Sequence, residues 1–168
     1  MKVIQDVHDY NGELLPPTPS PDYVWSGDGW VIDLQLQASN LAARLLALCA
    51  DIDREADNAR LVLSGDALRA LEHQRASESA RAFLAAGASA QAVPQAVQAW
   101  VTEQRDARQA AEDIVAQADC FAQALLMVRT LRLQAKEQVR GASDATQAEA
   151  VCDQAVQALR ALHNVELE

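Results

Sequence analysis

From Leu34 onward this chain meets glycine or proline at only four positions, Gly65, Gly87, Pro94 and Gly141. Those residues punctuate secondary structure, and the intervals between them are too long for strands and suit helices. Alanine, the strongest helix former, fills much of those intervals. Hydrophobic residues make up 50% of the chain but aromatic ones only 4%. Any core is therefore aliphatic and thin, with helices able to approach closely.

The apolar spacing agrees. Leu34, Leu41, Leu45, Leu48, Ile52, Ala56, Ala59 and Leu63 recur by threes, fours and sevens, which predicts one helix from about Asp33 to Ser64. Ser64 or Asp66 can cap a second helix carrying Leu68, Leu71, Ala76, Ala80, Phe83 and Leu84, stopped by Gly87. Pro94 opens a short helix that presents Val97, Trp100 and Val101. A polar face at Arg105 to Ala107 predicts a break. The next helix is long, with Ala111, Ile114, Ala118, Phe121, Leu125 and Val128 in one stripe, continued by Ala135 and Val139 and ended by Gly141. Ser143 or Asp144 caps a last helix with Ala148, Val151, Cys152, Ala155, Leu159 and Leu162. Short connections predict antiparallel neighbours. The expected fold is mainly α: an antiparallel helical bundle or coiled-coil-like helical hairpins, whose heptad seams also suit a homo-oligomer.

Residues 1–33 read as a separate module of extended arm and β-hairpin, and 34–168 as the helical domain. "MKVIQDVHDY" suits a short strand, and Asn11-Gly12 is a turn signal. Pro16, Pro17, Pro19 and Pro21 hold the next stretch extended. In "YVWSGDGWVID" two groups of good strand residues flank Ser26-Gly27-Asp28-Gly29, which suits a tight turn with Trp25 opposite Trp30.

The formal net charge is −10, which disfavours nucleic acid as a partner. No secretory leader pattern and no uninterrupted membrane-length apolar run are visible, so a cytoplasmic protein without a membrane partner is expected. Cys49, Cys120 and Cys152 are far apart and form no CxxC pair, which reads as buried free thiols. His8, His73 and His163 have no second ligand at metal-binding spacing, so no metal is expected. "DIDREAD" reads as a solvated acidic face. No nucleophile motif or phosphate-cradling loop argues for an enzyme or a cofactor.

Two surface features stand out. Arg129, Arg132, Lys136 and Arg140 form a basic stripe on an acidic protein. It serves either the C-terminal helix dipole and nearby carboxylates such as Glu137, or a partner. Tyr23, Trp25 and Trp30 form either a hydrophobic clasp over the helices, an aromatic anchor for a protein partner, or a platform for a sugar.

Two segments carry a resemblance. "WSGDGWV" after a proline-rich arm resembles an element of small phage tail proteins. "VPQAVQAWVTEQRDARQAAEDIVAQA", followed by "VRTLRLQAKEQVRGASD", resembles the helical segment of tail-fibre assembly chaperones of contractile-tailed phages and R-type pyocins. The matching positions are Pro94, Val97, Trp100, Gln109, Ala111 and Asp113-Ile114, then Arg132-Leu133, Ala135-Lys136 and Arg140. The resemblance covers roughly residues 23–33 and 93–144. The chain departs from the pattern at "VTEQRDA", where many relatives have a glycine-containing turn. The resemblance implies an ATP-independent chaperone that helps a trimeric, β-rich tail-fibre protein fold and assemble. Its expected client-binding residues are Tyr23, Trp25, Trp30, Trp100, Arg129, Arg132, Lys136 and Arg140. The alternatives are a structural tail component, such as a fibre adaptor that stays in the particle, and a sugar-binding module.

Overall fold

A computed structural model of the chain describes residues 9–10, 13–65, 67–89 and 91–162. Five helices dominate it: α1 (Leu34–Ser64), α2 (Ala67–Ala85), α3 (Gln95–Gln98), α4 (Ala107–Arg140) and α5 (Ala145–Ala161). Side-chain caps start α1, α4 and α5. Asp33 accepts from the amides of Gln35 and Leu36 at 2.9 and 3.0 Å. Asp106 forms a reciprocal capping box with Gln109. Asp144 accepts from the Gln147 amide at 2.9 Å, and that bond, with the Ser143 hydroxyl, holds its carboxyl below the usual carboxylate range. Ser64 does not cap α2, because its hydroxyl donates to the Arg60 carbonyl. Asp66, the other candidate, lies outside the described residues.

The organising element is α4. Its 34 residues span about 50 Å at 1.5 Å per residue. The C-terminal half packs with α1 and α5 around a first core that includes Ile52, Val128, Val139 and Leu159, all fully buried. The N-terminal half packs with α2 and α3 around a second core of Ala80, Phe83, Val97, Ala110, Ala111 and Ile114. Cross-helix partners fix the directions. Cys49 reaches the Lys136 carbonyl and Asp53 reaches Arg132, so α1 runs antiparallel to α4. Arg44 meets Glu149, Cys152 meets the Leu48 carbonyl and Glu55 meets Arg160, so α1 and α5 run parallel.

One expectation is corrected here. Despite their short connection, α1 and α2 do not fold back as an antiparallel pair and barely touch. They dock one after the other on α4, whose length accommodates both. Three apolar residues expected in the core are not buried: Leu34 is 75% exposed, Leu68 73% and Leu71 43%. Leu34 lies past the level at which a partner helix exists, whereas Leu68 and Leu71 lie about 120° and about 180° around α2 from Ala80, off its packing face. The parallel register, Arg44 against Glu149, sets the start of α5 at Ala145 level with Asn40, so the first six residues of α1 form an overhang of about 9 Å.

Four short strands precede the helices. β1 (Asp9–Tyr10) pairs with β2 (Glu13–Leu14), and β3 (Tyr23–Trp25) with β4 (Trp30–Ile32), both antiparallel. The Asn11-Gly12 turn signal falls between β1 and β2 on residues outside those described. Neither strand of the β3–β4 hairpin contributes to either core.

Candidate functional site

The β3–β4 register places Tyr23 opposite Ile32, Val24 opposite Val31 and Trp25 opposite Trp30. Ser26 closes the loop, its amide and hydroxyl donating to the Gly29 carbonyl at 2.9 and 2.8 Å. Gly27 adopts a φ of +107°, a conformation that side chains disfavour. The two indoles meet edge to face, with centroids 5.5 Å apart and planes at 76°. Such pairs are worth about 0.5–1.5 kcal/mol beyond burial. They do not present one flat face, which is the geometry a stacked sugar needs.

The proline arm is not free of this hairpin. Trp30 donates its indole N–H to the Pro16 carbonyl at 3.0 Å. Asn40, on the second turn of α1, donates to the Pro21 carbonyl at 3.2 Å and to the Asp22 carboxylate at 2.8 Å. The Asp33 amide bonds the Asp22 carbonyl. The arm from Pro16 to Asp22 is therefore strapped along the hairpin and the start of α1. Val24, Val31 and Ile32 remain exposed, and among the described residues no third strand pairs with β3 or β4.

Trp100 lies beyond α3, at the N-terminal end of α4. The sequence "VTEQRDA" forms a tight turn without glycine, with the Thr102 and Arg105 amides and carbonyls paired at 3.0 and 3.3 Å. The turn points Arg105 back over the Trp100 ring, 5.5 Å from its centroid, while the guanidinium bonds Asp113 on α4 at 2.9 Å. The predicted break at Arg105 to Ala107 is this turn.

The basic stripe separates into different roles. Arg132 and Lys136 clamp Asp53 of α1, both at 2.5 Å. Burial alone would raise the Asp53 pKa, but the hydrogen bonds and charges of Lys136 and Arg132 outweigh it and hold the carboxyl below its ordinary value. Arg140 bonds Glu137 at 3.3 Å, as expected of a helix end. Arg129 is exposed. "DIDREAD" is likewise not one solvated face. Asp53 is clamped, Glu55 is buried against Arg160, and Asp51 and Asp57 pair within α1 with Arg54 and Arg60.

The eight candidate residues do not converge on one site. Tyr23, Trp25 and Trp30 sit on the α1 overhang, beyond the C-terminal end of α4. Trp100 sits past the N-terminal end of α4, a helix length away. Arg132 and Lys136 lie between them and serve the α1–α4 interface. The sequence reading missed Asn40, whose role in fastening the arm is set by the fold and carries no local signature.

Of the cysteines, Cys49 and Cys152 are buried as expected but Cys120 is exposed. Burial, with the nearby charges of Asp51 and Asp153, pushes the Cys152 thiol pKa up. His73 is exposed on α2, and His8 and His163 lie outside the described residues. Among the described residues no three His, Cys, Asp or Glu side chains cluster as a metal site.

Two surface grooves differ sharply in character. The groove between α1 and α5, about 360 Å³, is edged by Arg44, Arg54 and Arg160 facing Asp51, Glu149 and Asp153. The groove between α4 and α5, about 260 Å³, contains no charged side chain, and Leu131, Gln134, Gln138, Val151, Gln154 and Ala158 shape it. By length and composition α4 also meets the requirement for crossing a bilayer, with a mean hydropathy of 1.3 over 18 residues. The glutamines and single charges that interrupt this stretch hide it from a search for an unbroken apolar run.

No family model, curated protein or solved structure matches the chain.

Proposed function

We propose that the chain is a protein-binding assembly factor, and specifically a chaperone for a trimeric, β-rich tail-fibre protein, acting without ATP. The observation that carries this reading is the β3–β4 hairpin. It is a two-stranded sheet to which no further strand pairs among the described residues, with exposed Val24, Val31 and Ile32, held outside both cores on the α1 overhang. An open strand edge beside apolar side chains is suited to pairing with an unpaired strand of a client. Long interdigitated β-trimers fold slowly and leave such strands exposed meanwhile. The resemblance of residues 23–33 and 93–144 to fibre chaperones names the client class.

Co-expression tests the reading. A tail-fibre protein serving as client should aggregate when made alone and yield soluble trimer when made together with this chain. Equal trimer yield in both cases overturns an obligate chaperone role. A chain that co-purifies stoichiometrically with finished particles identifies a fibre adaptor instead.

A further inference from the structure

We propose that the uncharged face of α4 and α5 is the contact surface of a two-fold homodimer. Between Ile114 and Val139, α4 carries only five charged residues, and all project from the other side of the helix. Asp119 pairs with Arg81 of α2, Arg132 and Lys136 pair with Asp53 of α1, and helical spacing places Arg129 and Glu137 on the same half-cylinder. The remaining half presents Ala116, Cys120, Gln123, Met127, Gln134 and Gln138, all exposed and spaced by threes, fours and one seven.

Charge is segregated on α5 in the same way. Glu149, Asp153 and Arg160 all line the groove shared with α1. Val151, Gln154 and Ala158 face the α4 groove, where the small floor residues Ala135 and Ala155 allow a helix to approach closely. No turn of this face places a charge toward solvent across about 33 Å of α4, beside which α5 runs for at most about 25 Å.

Three features select a second copy as the occupant. A chain of net charge −10 repels itself, and this face is where two copies meet without juxtaposing like charges. Glutamine amides both donate and accept, so a row of them is complementary to its own symmetry mate, as an isologous interface requires. About 33 Å of α4 with about 25 Å of α5 beside it offers on the order of 550 Å² per copy, or about 1,100 Å² for the pair, above the roughly 1,000 Å² that a specific interface needs.

Sedimentation equilibrium of the full chain tests this. The expected species is two copies of the 18.2 kDa chain. A double change, Gln134→Glu with Gln154→Glu, should weaken the dimer tenfold or more with unchanged helicity. Gln35→Glu with Ala47→Glu, which adds the same charge to exposed positions of α1, should change it less than twofold. A second measurement needs no substitution: maleimide labelling of exposed Cys120 should slow as the chain is concentrated through the dimerisation range. A monomer at every concentration overturns the proposal and assigns the face to a different protein. A larger oligomer, or equal weakening by both double changes, overturns it as well.

Discussion

Arg132 on α4 donates to Asp53 on α1 at 2.5 Å, joining residues 79 apart in sequence, and Lys136 one turn later grips the same carboxylate. The clamp holds α1 against α4 beside the first core. Removing the carboxylate strands two cations, of which Lys136 has a side chain only 13% exposed. We expect Asp53→Asn to lower stability by about 1–2 kcal/mol at pH 7, between the values for exposed and buried pairs. The folded pKa of Asp53 lies below its unfolded value, so the contribution is complete above about pH 4 and disappears as pH falls through the folded value. Urea denaturation at pH 7 and pH 3 checks this: the gap between variant and parent should narrow in acid, and a constant gap would contradict the assignment.

The two cores share α4 but little else. Phe83, 5% exposed, is the only aromatic among the buried residues of the second core. Phe83→Ala should cost about 3 kcal/mol. Hydrogen exchange should quicken in α2 and in Ala107–Ala118 before it quickens in Val128–Val139. Equal acceleration along all of α4 would show that the two cores open as one unit.

Trp25 and Trp30 contribute to neither core, so changing both to alanine should leave the helices melting cooperatively, with a loss of about 1 kcal/mol from the ring pair. Binding to a fibre client should weaken by tenfold or more. A loss of helix stability on the scale of a buried tryptophan would instead make the hairpin a clasp on the bundle.

Arg105 covers Trp100. In a background with Trp25 and Trp30 replaced by phenylalanine, Arg105→Ala should shift Trp100 fluorescence to the red and cost about 0.5–1 kcal/mol. An unchanged emission maximum would remove the stacked arrangement.

Helical periodicity made much of the fold legible. Leu45, Leu48, Ile52, Ala56, Ala59 and Leu63 all belong to or pack against the first core. Periodicity reports which side of a helix is apolar, not how far along the axis a partner extends. Leu34 has the right phase but no facing helix, and Leu68 and Leu71 lie about 120° and about 180° around α2 from Ala80, so all three read as core and are exposed. The same limit hid the ion pairs. Arg132, Lys136 and Asp53 each looked like members of local charged stripes, because the pairing depends on the register of two helices distant in sequence. The tryptophan hairpin was legible because its strands, loop and pairing lie within eleven residues. Its attachment through Asn40 was not, since it depends on the path of the arm across α1.

The α1 overhang has a mechanical consequence. A flexible tether lets its cargo wander through a broad volume, and the local concentration it supplies falls as the tether lengthens. A continuous helix capped at Asp33 and strapped at Asn40 behaves as a mast, keeping the hairpin at one distance from the acidic body. Under the proposed chaperone role, a strand caught at the tip would be presented in a fixed direction, with the standoff leaving clearance for the bulk of a trimeric client.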